Sequence, residues 1–106
     1  MKTNPEKDLE LHDKINRETG RVKWSELERH FASGSVIWVS EALDLIDVAL
    51  RIAHDDKESV TKWMAAGAVA KVSDVQAQTW TAAGETLWAS VVSPFVLVQV
   101  EKKALH

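Results

Sequence analysis

The sequence predicts an α+β fold, with about five helices packed on a small sheet of three or four short strands. Four runs rich in β-branched and aromatic residues, at 36–39, 69–72, 86–91 and 95–100, are typical of strands. The segments between them place apolar residues at helical spacing and carry serine, aspartate or glycine where a helix would begin or end. A length of 106 residues suits a single domain, 1–106, whose ends at 1–5 and 102–106 we expect to be disordered.

One passage of helix end, glycine, short strand and serine occurs twice. FASGSVIWVSE, at 31–41, returns 33 residues later as MAAGAVAKVSD, at 64–74. Glycine stops helices and serine starts them in many proteins, so either an internal duplication or independent use of the same caps explains the similarity. Two copies are too few for a solenoid. If the repeat is real, its two strands are expected to lie side by side in a helix–strand–helix pseudo-repeat.

The N-terminal third predicts two polar surface helices. The first runs from Pro5 to Thr19, because proline is favoured at a first helical position and Gly20 provides a stop. The second begins at Ser25, which has capping-box spacing with Glu28, and ends at Gly34.

The middle of the chain predicts the most buried helix. It extends from Glu41 to His54, is capped by Ser40, and is apolar around most of its circumference, which is typical of a helix central to a core. Asp55 or Asp56 is expected to cap the next helix.

The C-terminal third predicts one helix and two strands. Ser73 and Gln76 have capping-box spacing for a helix that ends at Gly84. In the strand at 69–72, which precedes this helix, apolar and polar residues alternate only weakly, as is typical of an edge strand. Proline cannot donate to a strand ladder, so a bend or break is expected near Ser93–Pro94, between strands 86–91 and 95–100.

Composition and motifs exclude several classes of protein. The chain has no cysteine, which excludes a disulfide scaffold, cysteine-ligated zinc and a thiol nucleophile. The polar N-terminus and the lack of a long uncharged apolar run predict a cytoplasmic protein without a membrane segment. A net charge of −3 argues against general nucleic-acid binding. No motif for catalysis, a cofactor or a metal occurs, and we therefore lean toward a protein that is not an enzyme.

Two groups of residues are candidates for binding. The first is a polar stripe on the apolar helix, made of Asp44, Asp47, Arg51 and His54. Such a stripe is either the solvent-facing edge of a buried helix or a small-molecule or metal site. The second is a basic group beside a tryptophan expected to be exposed, made of Arg17, Arg21, Lys23, Trp24 and Arg29. Intervening glutamates make nucleic-acid contact through this second group the weaker alternative.

Several segments resemble a family of small bacterial proteins known only as a domain of unknown function (DUF family 2288). They are INRETGRVKWSELERHFASGSVIWV, LDLIDVAL, WMAAGAVAKVSDVQAQTW and LWASVVSPFVLVQV, and together they extend from Ile15 to Val100. The resemblance implies a stand-alone cytoplasmic bacterial protein. The resemblance implies no activity and identifies no site residues.

The leading functional hypothesis is a small, non-enzymatic interaction or regulatory module that self-associates or binds a protein partner. Five tryptophans and an apolar C-terminal strand, which we expect to expose an edge, support it. A small-molecule or metal site on the polar stripe is the alternative.

Overall fold

Helices cover both faces of one mixed β-sheet. The computed structural model describes residues 5–101, with side chains from Leu9 onward. This range contains α1 (Pro5–Arg17), α2 (Glu28–Ala32), α3 (Leu45–Ala53), α4 (Lys57–Ala65), α5 (Asp74–Ala83) and a 3-10 turn (Trp24–Glu26). Its strands are β1 (Thr19–Lys23), β2 (Val36–Val39), β3 (Val69–Lys71), β4 (Thr86–Val92) and β5 (Phe95–Val100). The α+β prediction is confirmed, and the sheet has one strand more than predicted. The expected disorder at 1–4 and 102–106 lies outside the described residues, while Pro5 begins α1.

The additional strand is β1, in a segment that we predicted to be the end of a helix. Helix α1 stops at Arg17, and Gly20 lies inside β1, paired with Ala89 of β4, so its prediction as a helix stop is wrong. TGRVK has a weak strand signal of its own. Pairing with β4 determines its structure, together with Thr19, whose hydroxyl lies 2.6 Å from the carbonyl oxygen of Ile15 and 2.8 Å from the hydroxyl of Ser90.

The strand order is β1-β4-β5-β2-β3, and β5 lies at the centre. Strand β5 is antiparallel to β4 and parallel to β2. The expectation that this apolar C-terminal strand exposes an edge is therefore wrong, because both of its edges are hydrogen-bonded. The edge strands are β1 and β3, which confirms the prediction for β3.

Two hydrophobic cores lie on opposite faces of the sheet. On the α5 face, Trp24 and Leu27 from the 3-10 region and Trp80 from α5 cover the sheet. On the α3 face, the apolar sides of α1, α3 and α4 cover it, and Val48 and Ala49 of α3 are fully buried. Alternating residues of the central strand serve both cores, with Val96 and Val98 on one face and Leu97 on the other.

The two repeated passages form neighbouring antiparallel strands, β2 and β3, with Val39 paired to Val69. Their matching positions nevertheless face opposite ways. Val36 belongs to the core on the α5 face, whereas its counterpart Val69 belongs to the core on the α3 face. The helices before the two strands, α2 and α4, accordingly lie on opposite faces. A twofold axis perpendicular to the sheet does not relate the two copies.

Two predicted helix caps are wrong. The Ser25–Glu28 capping box does not form, because a 3-10 turn occupies Trp24–Glu26 and α2 follows Leu27 without a side-chain cap. Ser40 begins a turn, and α3 starts at Leu45 behind Asp44. The Asp44 carboxylate accepts the backbone N–H groups of Ile46 at 2.9 Å and Asp47 at 3.3 Å.

The later caps agree with the sequence. Asp56 accepts the backbone N–H of Ser59 at the start of α4. Ser73 and Gln76 form both halves of a capping box on α5, and Gly84 ends that helix in the left-handed conformation, with φ of 59°. Ser93–Pro94 forms the hairpin turn between β4 and β5 and contains a cis peptide bond.

Candidate functional site

The predicted polar stripe lies on the solvent-facing side of α3. All four of its side chains, Asp44, Asp47, Arg51 and His54, are exposed. Arg51 Nε lies 3.7 Å from Asp47 Oδ1, and Arg51 Nη1 lies 3.3 Å from Asp56 Oδ2. Asp44 is the helix cap and lines a different depression from Asp56. Among the side chains that the structure describes, no group of three histidine or carboxylate residues is placed to hold a metal ion.

Asp56 gives this region a testable dependence on pH. Hydrogen bonds from Ser59, together with Arg51, hold the pKa of Asp56 below its ordinary value of 3.8. A carboxyl group with a lowered folded-state pKa stabilises the fold above its unfolded pKa, and this contribution is lost as the pH falls through the folded pKa. We expect Asp56→Asn to unfold more readily than wild type at neutral pH. Below about pH 4 the two unfolding curves should converge in urea titrations. If the difference in stability between Asp56→Asn and wild type stays the same down to about pH 2, the lowered pKa of Asp56 is contradicted.

The basic group predicted around Trp24 is divided by the sheet. Trp24 is 1% exposed and packs in the core on the α5 face, so the expectation of an exposed contact is wrong. Val22 packs toward the same core, which directs Arg21 and Lys23 to the opposite face. Helix α2, which carries Arg29, packs on the α5 face. An interaction role for the remaining basic residues stays a prediction.

A largely apolar groove lies beside the edge strand β3. We call it the β3 groove. It has a volume of about 420 Å³ and lies between α4, β3 and the start of β5. Met64 and Phe95, both of which line it, are 57% and 37% exposed. Its other apolar side chains are Ile37, Ile52, Val60, Val69 and Ala70, and its polar ones are Asp55, Asp56, Lys57, Thr61 and Lys71.

The backbone of β3 is open along this groove. Hydrogen bonds from Ser40 N to Ala68 O at 2.8 Å and from Val72 N to Val36 O at 3.2 Å continue the ladder with β2. In an antiparallel pair, alternate residues bond to the neighbouring strand. Ala70 therefore bonds to β2, and the N–H and C=O groups of Val69 and Lys71 point outward. An edge of this kind is a template for pairing with another strand.

Sequence reasoning missed this groove. The two exposed apolar residues that line it are Met64 and Phe95. Both carried a usable signal, since Met64 lies in the last turn of α4 and Phe95 directly follows Pro94 of the hairpin turn, as the first residue of β5. Side chains at the ends of elements are less covered than those in the middle.

The chain matches the family model described as "Protein of unknown function (DUF2288)" over residues 10–100, which confirms the resemblance found in the sequence. It is similar to the NMR solution structure of PA1075 from Pseudomonas aeruginosa, with 41% identity and a TM-score of 0.78 over 91% of each chain. No curated protein matches it. Within residues 5–101, no helix is both long and apolar enough to cross a membrane.

Proposed function

The chain belongs to the DUF2288 family of proteins of unknown function, and we propose that it acts as a small, non-enzymatic cytoplasmic interaction module that associates with a second copy of itself. The observation that carries the proposal is the open edge of β3 beside an apolar groove. The absence of cysteine fits a reducing compartment.

The edge is self-complementary. When β3 pairs antiparallel with β3 of a second copy about a twofold axis that passes between the two Ala70 residues, Val69 lies opposite Lys71 of that copy. Each such pair exchanges two backbone hydrogen bonds, so the two symmetry-related pairs contribute about four. The two sheets then join into one, and the groove of each copy opens beside the shared edge.

The surroundings of the edge favour this partner. Met64 and Phe95 provide apolar surface that a second copy covers. Burial of apolar surface stabilises association by about 25 cal/mol per Å². The charged residues that line the groove are two acids, Asp55 and Asp56, and two bases, Lys57 and Lys71, so self-association brings no excess of like charge together.

Two lysine-to-proline variants test which edge is used. Lys71→Pro removes an outward N–H of β3 while the inward bonds at Ala70 and Val72 stay intact. Lys23→Pro is its matched control on the opposite edge. The bond from Trp24 N to Glu85 O continues the β1–β4 ladder, so Lys23 also faces outward, and its φ of −69° already suits proline.

We expect wild type and Lys23→Pro to form dimers in light scattering coupled to size-exclusion chromatography at high micromolar concentration. Lys71→Pro should weaken the dimer at least about tenfold, because a lost backbone bond leaves its partner unpaired. Met64→Glu should also weaken the dimer, because the new carboxylate of each copy would lie against the apolar groove of the other copy. A wild-type chain that stays monomeric, or a dimer that only Lys23→Pro disrupts, would overturn the proposal.

A further inference from the structure

A second cleft lies at the other end of the sheet and is distinct from the β3 groove. We call it the β5 cleft. It has a volume of about 750 Å³, within the range of small-molecule sites. Its walls come from the end of α1, the loop between β2 and α3, and the last residues of β5. Strands β2 and β5 are parallel, and the cleft opens at their carboxyl ends, where ligands of sheets with parallel strands commonly bind.

The side chain of Gln99 holds this cleft in shape. Its amide nitrogen donates to the carbonyl oxygens of Ser40 at 2.8 Å and Leu43 at 2.7 Å. These two bonds use both N–H groups of the amide and fix its orientation. The amide oxygen is then the atom of Gln99 that remains to accept a hydrogen bond from a ligand.

The charged groups of the cleft are acceptors. Asp44 uses one carboxylate oxygen, Oδ1, to cap α3, which leaves Oδ2. Glu101 uses Oε2 to bind Arg21 at 2.8 Å, which leaves Oε1. No lysine, arginine or histidine is among the described residues that line the cleft. Because Asp44 already occupies the first N–H groups of α3, the helix start offers little to an anion.

An aromatic ring lines the same cleft. Trp88 is half-buried on the sheet between its cross-strand partners Arg21 and Gln99. Arg21 and Trp88 lie on the same face of the sheet, and the Arg21 guanidinium is held by Glu101. Trp88 lines the cleft, and Arg21 is not among the residues that line it. Tryptophan is the aromatic side chain that attracts cations best. Leu43, Leu45 and Ile46 provide apolar surface beside it.

We propose that the β5 cleft binds a small organic cation, an ammonium or guanidinium group carried on a compact apolar body. Asp44 Oδ2, Glu101 Oε1 and the amide oxygen of Gln99 accept its N–H groups, and Trp88 and the neighbouring leucine and isoleucine side chains contact its apolar part. The polar stripe of α3 contributes Asp44 alone to this site.

The test is a titration followed by the indole N–H signals in ¹H–¹⁵N NMR spectra at low salt. The probe is phenethylammonium, and 2-phenylethanol is a neutral control of the same shape. Asp44→Asn removes the charge and keeps a good helix cap, while Asp47→Asn removes a carboxylate one turn away that faces solvent. Trp88→Phe assigns the Trp88 signal.

We expect phenethylammonium to shift the Trp88 signal and to bind at least about tenfold more tightly than 2-phenylethanol. Asp44→Asn should weaken binding about tenfold, and Asp47→Asn should leave it unchanged. Equal affinities for the two probes, equal effects of the two variants, or no shift of the Trp88 signal would each overturn the proposal. Helical circular dichroism of Asp44→Asn checks that the cap is kept.

Discussion

Replacing Trp24 with alanine is expected to lower the free energy of unfolding by about 3–5 kcal/mol, the usual cost of truncating a buried tryptophan. The ring is 1% exposed and lies edge-on to Trp80 at 5.1 Å and Phe31 at 5.6 Å between ring centroids. Its Nε1–H donates to Thr81 Oγ1 at 3.1 Å. The side chain therefore joins the 3-10 turn, α2 and α5 into one core.

Urea unfolding measures this effect, and two further variants separate its causes. Trp24→Phe keeps aromatic contact with Trp80 and loses the hydrogen bond to Thr81, so its cost should be intermediate. Val75→Ala shortens an apolar side chain that is 72% exposed, and should change stability by no more than about 0.5 kcal/mol. A Trp24→Ala chain within about 1 kcal/mol of wild type would show that Trp24 is not packed as described.

Gln99→Leu is expected to lower the free energy of unfolding by about 1–3 kcal/mol, because the Leu43 carbonyl loses the donor that Gln99 supplies and the Ser40 carbonyl keeps only the N–H of Leu43. Leucine is close to glutamine in size, so the loss reports hydrogen bonding more than packing. Both acceptors, Ser40 and Leu43, lie in the loop that precedes α3. That loop should also become less protected in amide hydrogen exchange.

Gln78→Leu is the matched control for this substitution. Gln78 is exposed on α5, and the same chemical change there should alter stability by no more than about 0.5 kcal/mol. If the two glutamine variants lose the same stability, the bonds from Gln99 to the loop do not contribute as we expect.

The sequence predicted elements whose signal is local. Strands β2 and β5 were placed at 36–39 and 95–100, where β-branched residues are dense, and the structure has them at the same residues. The capping box of Ser73 and Gln76 formed as its spacing predicts, whereas Ser25 and Glu28 have the same spacing but lie in a 3-10 turn and in α2. Strand β1 was missed because pairing with β4 overrides a weak propensity at Gly20.

The candidate sites could be predicted only in part, because exposure depends on distant parts of the chain. The polar stripe was placed on the correct helix, and its solvent-facing interpretation follows from the exposure of Asp47 and Arg51. Trp24 carries basic neighbours in sequence, yet α5, more than fifty residues later, covers it. The β3 groove and the β5 cleft are each lined by residues from segments that are far apart in the chain. A single sequence does not show that such segments are close in space.

The central position of β5 has a consequence for how the chain folds during synthesis. Without β5 the sheet falls into two separate pairs of strands, β1 with β4 and β2 with β3. The contact that joins β5 to β2 pairs Val36 with Val96, which lie far apart in the sequence. Closing such a long loop is slow compared with forming a hairpin. Until residue 100 has left the ribosome, β2 and β4 each have an unpaired side, and each unpaired side is a strand edge open to pairing with another chain.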